Sequence, residues 1–191
     1  MFDTIFNNFN VYFNSLDKNN IQFTTSATLL DKTFKVTNSN KLHEKLTSLL
    51  HKIDMNFKMP VVYVHGDLTF KNILLENSEY YFIDWEFAGI YTFTHDIMHM
   101  FSKTIDIKQD PQFMENYFIG KYDNQFSKLF NSFGYKFNNS KKAKLYYIAL
   151  YLMERIVYFE KAIMGKSVER IVPQYIGKIN EVVNIANEIN G

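Results

Sequence analysis

The chain has 191 residues, 47% hydrophobic and 17% aromatic, enough for one domain with a substantial core. Its formal net charge of +1 gives no electrostatic reason for nucleic acid or an anionic membrane as the main partner. It has no cysteine, which excludes disulfides, thiolate zinc sites and cysteine nucleophiles and fits a reducing cytoplasm. No secretory leader pattern opens the chain, and no apolar run reaches the roughly 18–20 residues of a membrane span.

Phe2, Ile5, Phe6, Phe9, Phe13 and Leu16 recur at helical spacing and predict an amphipathic first helix, ended by the polar run Asp17–Asn20. Residues 21–40 lack a clear period and read as loop or weak helix. Leu42, Leu46, Leu49, Leu50 and Ile53 predict a second helix, with Ser39 or Asn40 as its N-cap. Val61–Val64, after Pro60, is a short β-favouring run and reads as a buried strand. Ile73–Leu75 and Tyr80–Ile83 are two further strand candidates, joined by the turn-prone run Glu76–Glu79. Helices are then expected over 94–104, 111–132, 141–164 and 172–189, the last starting near Pro173. The order is helices, a small sheet unit, then helices: an α+β, mostly helical chain read as a single domain over residues 1–191.

The strand at 61–64 runs straight into His65-Gly66-Asp67-Leu68-Thr69-Phe70-Lys71-Asn72, and the second hairpin strand runs into Ile83-Asp84-Trp85-Glu86. A hairpin centred on Ser78 would set Leu75 opposite Tyr81, Ile73 opposite Ile83 and Asn72 opposite Asp84. An amide oxygen and a carboxylate converging there, with room for phosphate oxygens and water, suit magnesium. Asp67, on the same loop as Asn72, is placed to accept the proton of a hydroxyl that attacks a phosphate. Phosphoryl transfer rests on positioning and on charge neutralisation, so these few residue types suffice. Taken singly, each is more often a turn or strand-end cap than a catalytic group. It is the joint spacing that points to chemistry.

The complete string resembles the aminoglycoside phosphotransferase and choline kinase family, small-molecule kinases with a protein-kinase-like fold. The resemblance covers residues 41–165, with specific motifs between 61 and 97. It implies ATP and Mg2+ as cofactors and a small-molecule hydroxyl acceptor: an aminoglycoside, an amino alcohol or a sugar. It implies Asp67 as catalytic base and Asn72 and Asp84 as metal ligands. His65 would support the catalytic loop, and Asp96 would hold that loop's backbone from the next helix. Leu74 and Ile83 would line the nucleotide, Leu74 as part of the floor beneath adenine. Glu86 would approach the metal or the acceptor. For a cationic acceptor, Glu86, Glu154, Tyr151 and Tyr158 are further candidates, since carboxylates and aromatic faces bind cations.

Family members carry a sheet-rich nucleotide lobe before the motif, with a glycine-rich loop and a strand lysine. Here the first glycine is Gly66, and the preceding residues read as mostly helical. The chain therefore reads as the C-terminal lobe alone. Such a lobe would be incomplete as a kinase and open to association through its uncovered face. A non-catalytic kinase-like binding module is one alternative. Another is a zinc hydrolase using His95 and His99, which lie four apart on a predicted helix and so share a face. There Asp96 stands where such enzymes place Glu, and no third ligand follows downstream.

Overall fold

The computed structural model describes residues 2–51, 53–77, 79–161 and 164–189. These residues form an α+β, mostly helical protein with small antiparallel sheets. The chain divides into two compact units that interleave in sequence: residues 1–22 with 60–139, and residues 23–59 with 140–191. Among the described residues, no helix is long and apolar enough to cross a membrane.

The first unit opens with α1 (Phe2–Ser15), whose apolar stripe buries Ile5, Phe6, Phe9 and Phe13. Strand β1 (Gln22–Thr24) leads out of it. The chain returns through β2 (Met59–Val64), then β3 (Ile73–Glu76), β4 (Glu79–Phe82) and β5 (Gly89–Thr92). Three helices follow: α4 (His95–Lys108), α5 (Gln112–Phe118) and α6 (Asp123–Asn131). Aromatic rings knit α1 to this group. Phe2 stacks on Phe113 and Tyr122 at centroid distances of 4.7 and 5.5 Å, and Phe6 meets Phe126 edge-on at 5.4 Å. Much of the phenylalanine and tyrosine content is thus core packing, worth about 0.5–1.5 kcal/mol per ring pair beyond area burial.

The second unit is helical: α2 (Ser26–Thr37), α3 (Asn40–Leu50), α7 (Lys141–Glu154) and α8 (Val168–Glu188). Side-chain oxygens of Thr25, Ser39 and Ser140 cap α2, α3 and α7 by accepting from backbone N–H groups in the first turn. After Glu154 the chain continues as a π-helix, Arg155–Lys161. Glu154 and Arg155 are buried there, with the Arg155 guanidinium 3.5 Å from the centroid of Phe159.

Four expectations are corrected. Residues 21–40, expected as loop or weak helix, hold the twelve-residue helix α2 and, before it, the unexpected strand β1. The helix expected over 111–132 is broken at Gly120, whose φ of +90° admits only glycine comfortably and lets the chain turn between α5 and α6. The last helix starts before Pro173, not at it. Ser167 is extended, Glu169 sits in the first turn, and Ile171, Tyr175, Ile179 and Val182 bury one stripe, so packing offsets the missing proline N–H. Strand β5 had no counterpart among the expected elements. It exists because β2 supplies its partner, with Val61 opposite Thr92 and Val64 opposite Gly89.

The hairpin register is the fourth correction. Ile73 pairs with Phe82, Leu74 with Tyr81, Leu75 with Tyr80 and Glu76 with Glu79. The pairing is one residue off the expected one, because the strands are joined by two residues, the first being Asn77 at φ +51°. Asparagine tolerates that left-handed backbone, which tight hairpin turns require. Ser78, the expected centre, lies outside the described residues.

Candidate active site

The site lies wholly in the first unit, where β2 ends, the β3–β4 hairpin ends and α4 begins. The loop after β2 is held by hydrogen bonds on both sides. The backbone N–H of His65 donates to Asp96 Oδ2 and that of Gly66 to Asp96 Oδ1, each at 2.9 Å. Asp96 is buried in the first turn of α4. Burial pushes its carboxyl above the usual carboxylate range, opposed by neighbouring His95 and the two N–H donors.

His65 is buried and links the loop to the hairpin. Its Nε2 donates to the Ile83 carbonyl oxygen at 2.6 Å, and its Nδ1 faces the Asp67 backbone N–H at 3.4 Å. These partners assign the neutral tautomer with the proton on Nε2. Trp85 covers the same ring at a centroid distance of 5.0 Å and donates its indole N–H to the Phe82 carbonyl at 2.8 Å. Gly66 has φ +81°, and a Cβ there would lie 2.1 Å from the Phe87 carbonyl oxygen. Close backbone approach thus requires glycine inside the motif.

Asn72 does not sit opposite Asp84. Its backbone carbonyl accepts from the Ile83 N–H at 3.0 Å, so Asp84 is the next residue along and still belongs to the same hairpin end. The Asn72 amide donates to the Asp67 carbonyl at 3.0 Å through its nitrogen, so that bond does not occupy its Oδ1. Asp84 is exposed, with φ 65° and ψ 59°. That left-handed conformation costs a non-glycine residue about 1–2 kcal/mol. Among the described residues no hydrogen bond or ion pair ties its carboxylate. One amide oxygen and one carboxylate fit magnesium, which takes few protein ligands and completes its shell with phosphate oxygens and water.

Leu74 and Tyr81 are cross-strand partners and share one face of the hairpin with Ile83, by the alternation of strand side chains. All three are exposed, Leu74 at 51%. On the other face Phe82 packs against Phe9 at 5.7 Å, while Leu75 is exposed. Glu86 is exposed in the 3-10 turn Trp85–Phe87. Glu154, Tyr151 and Tyr158 belong to the second unit, where the Tyr158 hydroxyl accepts from the Lys32 ammonium at 2.9 Å.

The profile of the phosphotransferase enzyme family matches residues 18–128, more than half of the chain. The chain belongs to this family. No curated protein and no solved structure matches it. Membership implies phosphotransferase chemistry, and the matched stretch holds His65, Asp67, Asn72, Asp84 and Asp96.

The histidine pair considered for zinc makes other contacts in this family member. His99 Nε2 lies 2.9 Å from Asp67 Oδ1, and the His95 ring rests on Tyr91 at 4.3 Å. Among the described residues no cluster of three or more His, Asp or Glu side chains could hold a metal. The contact between His99 and Asp67 is the feature that motif reading missed. The available signal was that Asp96 and His99 are three apart, hence on one helical face.

Proposed function

We propose that this chain carries the catalytic-loop and metal-binding half of a small-molecule kinase with a protein-kinase-like fold. The reaction is transfer of the ATP γ-phosphoryl group to a hydroxyl of an aminoglycoside, amino alcohol or sugar. The observation that carries this reading is the loop His65–Asp67, held by both oxygens of buried Asp96 and joined through Asn72 and His65 to the hairpin end that bears Asp84.

The acceptor hydroxyl loses its proton to the Asp67 carboxylate as its oxygen forms a bond to the γ-phosphorus. The bond from that phosphorus to the β–γ bridging oxygen breaks, and ADP leaves with the electron pair. Asn72 Oδ1 and Asp84 would hold magnesium, which when bound neutralises phosphate charge. Leu74 and Ile83 offer an apolar surface for adenine. Glu86 is the acceptor-binding candidate nearest in sequence to the metal ligands.

Residues 1–65 contain no glycine, so nothing there resembles a glycine-rich loop over the phosphates. A nucleotide clamped from one side loses much of the preorganised charge that phosphoryl transfer depends on. The 191-residue chain by itself is therefore expected to turn over slowly. The test is incubation of the purified chain with labelled ATP, magnesium and a panel of aminoglycosides, choline and sugars, alone and with a nucleotide lobe from a family member supplied. Transfer abolished by Asp67→Ala supports the reading. Magnesium-dependent ATP binding without transfer under either condition would favour a binding module instead.

A further inference from the structure

We infer that His99 is a positioning residue that aims the Asp67 carboxylate, an inference that rests on the reading of Asp67 as the base. Three observations carry it. The His99 side chain is fully buried at 0% exposure, whereas Asp67 is 25% exposed, so the imidazole lies beneath the carboxylate and away from solvent. Its Nε2 is 2.9 Å from Asp67 Oδ1. Its ring is stacked on His95 at 6.3 Å with planes 10° apart, and His95 in turn rests on Tyr91. The His99 ring is thus fully buried, with the parallel His95 ring alongside it.

Asp96 and His99 stand three residues apart on α4, so one helical face grips the loop twice. Asp96 takes the backbone N–H groups of His65 and Gly66, and His99 meets the side chain of the very next residue. The backbone bonds fix where Asp67 begins. The imidazole fixes how its carboxylate is rotated, and hence where Oδ2 points. The N–H approach to Oδ1 is short but bent. Catalytic hydrogen bonds are often poorly aligned before substrate arrives. An oxygen held by His99 also cannot wander among rotamers, so the hydroxyl meets a base already in place. His99 touches neither acceptor nor nucleotide in this account and acts only through Asp67.

The test compares wild type with His99→Leu, which keeps volume without a donor, and His99→Gln, which restores an N–H donor. The side-chain rotamer of Asp67 is read from three-bond carbon–nitrogen and carbon–carbon NMR couplings. A single rotamer is expected in wild type, averaging in His99→Leu, and a return to one rotamer in His99→Gln. If the leucine variant does not fold, His99→Asn, polar but too short to reach, is expected to show the same averaging. In the lobe-supplemented transfer assay, kcat should fall on the order of 10–100-fold in His99→Leu, the usual size when an orienting partner is removed. KM for ATP should not change, and kcat should recover in His99→Gln. Asp67 couplings identical in wild type and a folded His99→Leu or His99→Asn protein would overturn the inference. So would an unchanged kcat. Absence of transfer by wild type in every condition refutes the kinase reading instead, and the couplings still decide what His99 does.

Discussion

His65 Nε2 and the Ile83 carbonyl oxygen are 2.6 Å apart, and this contact joins the loop after β2 to the hairpin end that carries Asp84. Replacing His65 by leucine would leave that carbonyl without its donor. A buried group stripped of its partner costs about 1–3 kcal/mol. His65→Leu is therefore expected to lower the unfolding free energy by that amount, read as a lower urea midpoint. An unchanged midpoint would mean that loop and hairpin are held together by other contacts.

Gly66 and Gly134 make a controlled pair. Both have positive φ, at +81° and +77°, but a Cβ on Gly66 would lie 2.1 Å from the Phe87 carbonyl oxygen while one on Gly134 meets nothing within 4 Å. Gly134→Ala should cost only the left-handed strain, about 1–2 kcal/mol. Gly66→Ala adds a backbone clash and should cost about 2–5 kcal/mol, combining strain with overpacking. Equal losses in calorimetry would show that the Phe87 carbonyl yields easily.

Asp67 and Asp84 should separate by what they disturb. Asp67→Asn, measured in the lobe-supplemented assay, is expected to lower kcat about 10²–10⁴-fold, the usual contribution of a general base. Nucleotide affinity should stay nearly unchanged. Asp84→Asn should instead weaken ATP binding in magnesium and leave the weaker metal-free binding alone. Titration calorimetry with and without magnesium distinguishes the two, and near-normal turnover of Asp67→Asn would remove it from the role of base.

Asp96 has a carboxyl that burial raises above its ordinary value. Such a group binds its proton more tightly folded than unfolded, so its contribution to stability is full below the unfolded value, about 3.9, and is lost as pH rises through the folded value. Asp96→Asn has no such dependence. The stability advantage of wild type over Asp96→Asn should therefore grow as pH is lowered from 8 toward about 4. Parallel urea titrations of the two proteins at several pH values measure it, and a difference that stays constant would contradict the raised carboxyl.

What the chain reveals on reading follows from the range of each interaction. The loop and hairpin motifs were legible because strand, turn and strand are local and their residue types are restrictive. The register was not, because a single left-handed residue, Asn77, shortens the turn and moves every pair by one. The break at Gly120 hid inside an otherwise helical run of Phe113, Tyr117, Phe118 and Phe126, where aromatic spacing outweighed one glycine. Strand β5 is only four residues long and depends on β2 for its existence. The meeting of His99 with Asp67 needs the helix and the loop to be placed against each other, and no local pattern encodes that placement.

The interleaving of the two units has a consequence for synthesis. The aromatic stripe of α1 is covered by α6, which ends at Asn131, and all of residues 23–59 emerge in between. At about 5–20 residues per second, roughly 6–23 s pass between translation of Ser15 and of Asn131. For that interval Phe6 lacks its partner Phe126, and Phe9 and Phe13 wait for Phe82 and Phe93, so the stripe is covered only piecemeal as the chain emerges. The nascent chain should therefore engage holdase chaperones early, and its folding should be slow for its size, because its first helix waits for some of its most distant contacts.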